Sequence, residues 1–555
     1  FSGNTSASWE ETIAKYQELS DKHNNAELRT IGGTDIGKPL HVFIINGTKK
    51  NPGELNDFST SPQKPVLLIN NGIHPGEPCG VDASLQLADR LLENPSKEKQ
   101  QILEQVTIAI IPIYNVGGAL NRGCCSRANQ NGPDQYGFRG NAKNLDLNRD
   151  FIKADSENAK ALTGFFNEIN PHVFVDTHTS NGADYQYVMT MINTQPDKAS
   201  KSIGNYIKEK MSPALYNSME DRGFGMTPYV YSLGKTPESG IKDFLETPRY
   251  STGYAALFNC IGYTSETHML KPFAQRVEST YQFLLSTLEY MANNGDELIE
   301  LKMRADLEVS TQKSYPLQWS LDTTYFDLIP FKGFEAEYPQ SKVTGEKRLK
   351  YNQKRPFTRD VKYYNKYSIT KEVEAPEFYI IPQAWIGVID RLNLAKVEMT
   401  RLNSDTTIFV DAYIIDQFKS GSRVYEGHHM NTVELISSRE MERQFYAGDY
   451  VVQVNQKSNR YIVETLEPEG VDAFFVWNFF DSAFQQKEWY SEYVFEDTAA
   501  SLLENDPELE IEFEAKKQQD AEFAESSQQQ LYWLYTKSHF YEPSLNVYPV
   551  FRWNP

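Results

Sequence analysis

A histidine and a carboxylate three residues apart can grip one divalent ion, and this sequence offers such a pair directly behind an apolar run. Residues 65–70 read PVLLIN and lead into Asn71-Gly72-Ile73-His74-Pro75-Gly76-Glu77. Zinc accepts imidazole nitrogen and carboxylate oxygen, and catalytic zinc sites keep one position open beside three protein ligands. His74 and Glu77 supply two of the three. The third candidate is His178, which closes a second apolar run, PHVFVDTH. Taken singly, a His-x-x-Glu pair or a strand-end histidine is an ordinary chance occurrence. Together they outline a metal centre, and between them lies a segment dense in Arg, Asn and Asp: Arg139-Gly140-Asn141-Ala142-Lys143-Asn144-Leu145-Asp146-Leu147-Asn148-Arg149-Asp150.

Such a centre needs a frame that brings distant strand ends together. Apolar runs at 41–46, 65–70 and 106–114 alternate with a helical stretch near 81–93, and further strands are expected at 172–177 and 261–265. This alternation predicts an α/β fold, a mixed and mostly parallel sheet flanked by helices. Active sites of such sheets gather at the carboxyl ends of the strands, where His74, His178 and Tyr263-Thr264-Ser265-Glu266-Thr267 all fall. Trp9, Ile13, Tyr16 and Leu19, spaced helically behind Ser8 and Glu11, predict a first helix with a capping box. Val277, Tyr281, Leu284, Leu285 and Leu288 predict another over 274–293.

A domain boundary is expected near 300, with 1–300 as the catalytic domain and 301–555 as a β-rich C-terminal domain of unassigned role. Strands are read there at 363–368, 406–414 and 449–454, and Asn505-Asp506-Pro507-Glu508 signals a helix start. One or two terminal helices follow through Trp533. Phe474, Phe475, Trp477, Phe479 and Phe480 read as core packing rather than a sugar platform. His428-His429 reads as surface, because neighbours on a strand face opposite ways, and His268 as a satisfied core histidine.

Composition bounds the function. A chain of 555 residues holds two to four domains. Its 55 Lys+Arg against 75 Asp+Glu leave a net charge of -20, a field that repels phosphate backbones and anionic lipid heads and argues against a nucleic-acid partner. No apolar run reaches the ~18 residues that a membrane span requires. The four cysteines, Cys79, Cys124, Cys125 and Cys260, form no framework or zinc-ribbon spacing. A bond between neighbours Cys124 and Cys125 would be strained, so any disulfide is expected to be long range, and Cys79 reads as a small buried side chain. The chain begins at Phe1 rather than Met, which suggests a removed export signal and a secreted or periplasmic protein.

The His74 to Glu77 pair, the Arg139 to Asp150 segment, Asp176-Thr177-His178-Thr179-Ser180 and Tyr263 to Thr267, in this order, resemble the zinc metallocarboxypeptidases of the carboxypeptidase A-like family. The resemblance covers roughly residues 8 to 295; the rest is similar only to C-terminal extensions of large bacterial members. It implies a carboxypeptidase-like fold, one Zn²⁺ per chain on His74, Glu77 and His178, and water at the fourth position, its pKa lowered toward about 7. It implies that Glu266 is the general acid/base, taking the water proton and passing it to the leaving amine. Asn148 and Arg149 then hold the free C-terminal carboxylate of a peptide substrate, for which a guanidinium fork is suited, and Arg139 polarises the scissile carbonyl. The substrate-covering tyrosine is Tyr250 or Tyr254, in a stretch where Arg249 departs from the family pattern.

Two rivals use the same residues. One is a zinc amidohydrolase acting on N-acyl amino acids or peptidoglycan stem peptides. The other is a degenerate enzyme serving as a carbohydrate- or protein-binding module, whose signature would be loss of a ligand or of the base. The preferred C-terminal residue and the oligomeric state are not fixed by the sequence.

Overall fold

The structure is a computed structural model and describes residues 3–46, 64–93 and 95–555. Phe1, on which the export reading rests, lies outside the described residues.

Strands Val66–Asn70 and Thr107–Ile111 are buried at every position, as expected of strands covered by helices on both faces. They sit inside an eight-stranded sheet in the order Ala26–Gly33, Pro39–Ile45, Thr107–Ile111, Val66–Asn70, Val173–Ser180, Ile261–His268, Met189–Asn193, Thr227–Pro228. The four strands from Thr107–Ile111 to Ile261–His268 run parallel, whereas Pro39–Ile45 and Met189–Asn193 flank them antiparallel. The expected mixed α/β sheet is therefore present. Its register already selects chemistry, since Asn70 faces Asp176 and Glu266 faces His178 across adjacent parallel strands.

Helices cover both faces. Trp9–Lys22 begins at the predicted capping box, with Ser8 and Glu11 satisfying each other's amides. Cys79–Leu92 and Phe273–Asn293 bury Leu87, Leu91, Leu284 and Leu288 in one core. The close approach of the first of these to the sheet requires Gly80, where a Cβ would lie 1.9 Å from Thr177 Oγ1. Among the described residues no helix is long and apolar enough to cross a membrane.

Residue 300 lies within the helix Gly295–Thr311. Beyond it, strand Asp327–Glu337 pairs with Lys350–Tyr364, which in turn pairs in parallel with Ile241–Lys242, so one sheet joins both parts of the chain. A six-stranded sheet contains Thr406–Ser420, Asn431–Phe445 and Tyr450–Gln453. The segment expected as a strand at 363–368 instead turns between Lys350–Tyr364 and Tyr367–Glu374, because Asn365-Lys366 supplies turn residues inside the aromatic alternation. The chain's last helices number four, Glu492–Asn505, Pro507–Gln519, Ala521–Glu525 and Ser527–Lys537. Asp506, Asp520 and Ser526 each accept from a following backbone amide, and these caps restart the helix where one or two were expected.

Phe474, Phe475, Trp477 and Phe480 are fully buried. Their cluster is continuous with Phe166, Tyr254 and Phe258 of the first part, and the Tyr461 ring lies 5.3 Å from that of Phe258. One apolar core thus runs through both parts. The cysteine expectation is corrected: Cys124 and Cys125 are joined to each other, with no long-range disulfide among the described residues. The loop accommodates the short closure through a left-handed Cys125 (φ 83°). Cys79 and Cys260 are buried and free.

Candidate active site

The loop after Val66–Asn70 turns at Gly72, which has a φ of 65°, and the Glu77 amide donates to the His74 carbonyl at 2.8 Å. That turn sets the His74 and Glu77 side chains beside each other. His178 comes from the neighbouring strand, and Asp176, two residues earlier, projects from the same face. One atom from each of His74, Glu77 and His178 lies within 4.8 Å of the others, and all three residues are buried.

The donors point inward. His74 Nδ1 is 3.4 Å and His178 Nδ1 3.2 Å from the Glu77 carboxylate. The far nitrogens are held by carboxylates, His74 Nε2 by Asp146 at 2.8 Å and His178 Nε2 by Asp176 at 2.9 Å. Such carboxylate partners orient ligand histidines and raise their basicity. His74 Nδ1 is buried without a hydrogen-bond partner among the described residues, although buried polar atoms are ordinarily satisfied. The donor set, its orientation and that orphaned nitrogen fit a zinc ion.

Glu77 is the electrostatic hub. Its carboxylate accepts from Arg127 Nη1 at 2.6 Å and from the Thr179 amide at 2.7 Å. Burial opposes its charge, but Arg127 and His74 hold its pKa well below the usual range. His178 shows the converse: burial disfavours the imidazolium, and Asp176 and Glu77 override it. Glu266 lines the same cavity. Burial pushes its carboxyl up to about 8, with Glu77 and Glu246 adding to the shift and His178 opposing it.

On the other wall Asn141 Oδ1 accepts from the amides of Lys143 and Leu145, folding the loop so that Asp146 caps the short helical turn Leu147–Arg149. Asp146 bridges His74 to Arg139, whose Nε donates to it at 2.9 Å. Asn148 Oδ1 accepts from the Ser251 amide at 3.2 Å. The Arg149 guanidinium stacks 4.4 Å over the Tyr250 ring. His74, Glu77, His178, Glu266, Arg139, Asn148, Arg149 and Tyr250 all line one cavity of about 250 Å³.

Residues 12–213 match the family model described as zinc carboxypeptidase, peptidase M14. The matched stretch contains His74, Glu77, Arg139, Asn148, Arg149 and His178. It is 23% identical over 444 residues to "Carboxypeptidase 2" of Trichophyton rubrum, covering 75% of this chain and 74% of the relative. It is 33% identical over 150 residues to "Carboxypeptidase E" of Caenorhabditis elegans, covering 26% and 29%. Among solved structures, it is similar to a putative carboxypeptidase A from Shewanella denitrificans OS-217, at 17% identity and a TM-score of 0.39 over 52% of this chain and 69% of that one.

Two expectations change, one at the cavity and one beyond it. Tyr254 does not reach it: its ring is buried against Phe151, Phe166 and Phe258, and its hydroxyl accepts from Asn167. Tyr250 precedes the helix Ser251–Ala256, so the helix carries Tyr254 round into the core while Tyr250 stays at the cleft. His428 is not a surface residue on a strand but part of a turn, where its Nε2 lies 2.7 Å from Asp155. Arg249 pairs with buried Asp472 rather than facing the substrate, and His268 is buried, its ring nitrogen 2.9 Å from the Ala183 carbonyl.

Four lining or supporting residues were missed. Arg127 and Glu246 line the cavity, and burial lifts Glu246 to about 7. Tyr425 accepts from Arg149 Nε at 3.1 Å, and Glu426 accepts from the Asp146 amide at 2.7 Å. Both belong to a turn more than 270 residues further along, and no local pattern marks them.

Proposed function

We propose that the protein removes the C-terminal residue of peptides, with one Zn²⁺ per chain held by His74, Glu77 and His178. A zinc ion so held supplies Lewis acidity toward a carbonyl and lowers the pKa of water. Glu266 takes the proton of the attacking water on its carboxylate and returns it to the leaving amine nitrogen. Arg149 and Asn148 bind the terminal carboxylate, Tyr250 covers the terminal residue, and Arg139 donates to the scissile carbonyl as it gains charge. Arg127 keeps Glu77 ionised and in place.

One observation carries the reading: the guanidinium of Arg149 opens into the same small cavity as the ligand trio and Glu266. A cation lining the same cavity as the ligand trio selects a chain end over a chain interior. The test is a cycle of blocked dipeptides with free or amidated C-termini against wild-type protein and Arg149→Ala. The two losses should fail to add, with a coupling of roughly 2 to 4 kcal/mol. Equal losses on acid and amide, with zinc retained, would overturn the clamp.

A further inference from the structure

Beside the catalytic cavity lies a larger one, of about 500 Å³, which shares Asn181, Tyr229 and Phe244 with it. It holds none of the ligand trio and none of Asn148, Arg149 or Tyr250. Its outer wall is built by the C-terminal part of the chain, through Leu349 and Tyr351. Phe244 is the partition: its ring lies 5.6 Å from Tyr250 on the clamp side and 6.2 and 6.1 Å from Tyr229 and Tyr231 on the other. An unbroken row of rings thus leads from the clamp into this second cavity.

We propose that this cavity is an amino-side substrate subsite, accepting an apolar or aromatic side chain of a peptide beyond the residue that carries the scissile carbonyl. The inference rests on the carboxypeptidase reading. With Arg149 fixing the chain end, a residue on the amino side of the cleaved bond can extend past Asn181, which follows the His178 strand and lines both cavities, into a space that contains no clamp residue; the last residue's own side chain is the competing guest, and the experiment separates the two.

The chemistry of the walls supports an apolar guest. Tyr231 is 44% and Leu349 36% exposed, so apolar surface is left uncovered where water would otherwise sit. The Tyr351 hydroxyl is buried and has no hydrogen-bond partner among the described residues, a costly state that a peptide amide or carbonyl would relieve. The wall is also fixed in place. Gln353 donates to Asp184 at 2.7 Å, Gln186 donates to the carbonyls of Gly333 and Phe357, and Tyr187 donates to that of Pro330. These bonds tie the hairpin of Asp327–Glu337 and Lys350–Tyr364 to the strand region that follows His178.

The experiment compares one N-blocked dipeptide with tetrapeptides that share its last two residues and carry Phe or Gly at the positions before them. In the zinc-loaded wild-type protein, Phe should raise kcat/KM over Gly at least about tenfold, mainly through KM. Leu349→Ala and Tyr351→Ala should each remove most of that gain, Tyr351→Phe part of it, and all three should leave dipeptide hydrolysis within about twofold of wild type. An equal loss on dipeptide and tetrapeptide, or a changed preference for the last residue, would overturn the subsite. No dipeptide hydrolysis by any of the proteins would instead bring down the carboxypeptidase reading, and the subsite with it.

Discussion

Tyr425→Phe removes one oxygen atom from the C-terminal part of the chain and should weaken substrate binding at a site built almost entirely by the N-terminal part. The tyrosine hydroxyl accepts from Arg149 Nε at 3.1 Å, while Arg149 Nη1 donates to the Asn148 carbonyl at 2.7 Å and the guanidinium rests on Tyr250. A hydrogen bond to a charged group contributes about 1.5–3 kcal/mol when shielded from water. The Arg149 side chain is 20% exposed, so water replaces part of what is lost and about 1 kcal/mol remains, roughly a fivefold change. The ring itself stays in place, because Tyr425 stacks on buried Trp477 at 6.3 Å and 23°. Since the clamp touches a part of the substrate that does not react, the change should appear in KM with kcat nearly constant. Steady-state kinetics on a blocked dipeptide acid read this directly, and the amidated dipeptide should be insensitive. In an Arg149→Ala background, Tyr425→Phe should cost nothing further. A fall in kcat at constant KM, or the same cost with and without Arg149, would refute action through the clamp.

Glu266→Gln should keep its zinc while kcat falls by about 10²–10⁴, checked by metal analysis beside single-turnover rates; near-normal turnover with metal bound would move the base elsewhere. The zinc-reconstituted protein should hold close to one Zn²⁺ per chain, and chelation should lower Tm as well as abolish hydrolysis, because a ligand that binds only the folded state stabilises it. Asp82→Asn should raise Tm more at pH 8 than at pH 5. Burial lifts the Asp82 carboxyl to about 7, against about 3.9 in the unfolded chain. Between those values the folded state binds the proton and the unfolded state does not, so stability falls as pH rises through the window. An equal shift of Tm at both pH values would contradict that burial.

The residues legible in the sequence are those whose position follows from strand geometry. His178 and Glu266 lie toward the ends of apolar strands that pair them in parallel register, and His74 lies in the loop directly after another. Asn148 and Arg149 were legible through the motif that surrounds them. Arg127 was not. It meets Glu77 across 50 residues because the Tyr136 hydroxyl accepts from the amides of Cys125 and Arg127 and so shapes an irregular loop, and no periodicity encodes such a loop. Tyr250 and Tyr254 stand as alternatives because the resemblance fixes only the stretch that holds the covering tyrosine, and the helix Ser251–Ala256 separates their directions. The vicinal disulfide is discounted in the sequence for its strain, yet it forms in an exposed loop in which Cys125 is left-handed.

The contacts of the C-terminal part explain why it stays with the catalytic chemistry. The proposed clamp sits on 139–155, a segment with one short helical turn and otherwise no regular structure, and a free arginine side chain there would lose on the order of 2 kcal/mol of rotamer entropy on binding a substrate. The later part of the chain restrains this segment at several points. Tyr425 takes the Arg149 Nε proton, Glu426 the Asp146 amide, and His428 pairs with Asp155. Arg391 donates to the carbonyls of Lys153 and Ala154. Asp146 is the residue that orients His74, so the Glu426 contact reaches the metal centre through a single side chain. Leu349 and Tyr351 wall the neighbouring cavity. Preorganisation of this kind lowers the entropic cost of binding without adding a single contact to the reacting atoms, and it draws on the later half of the chain at both cavities.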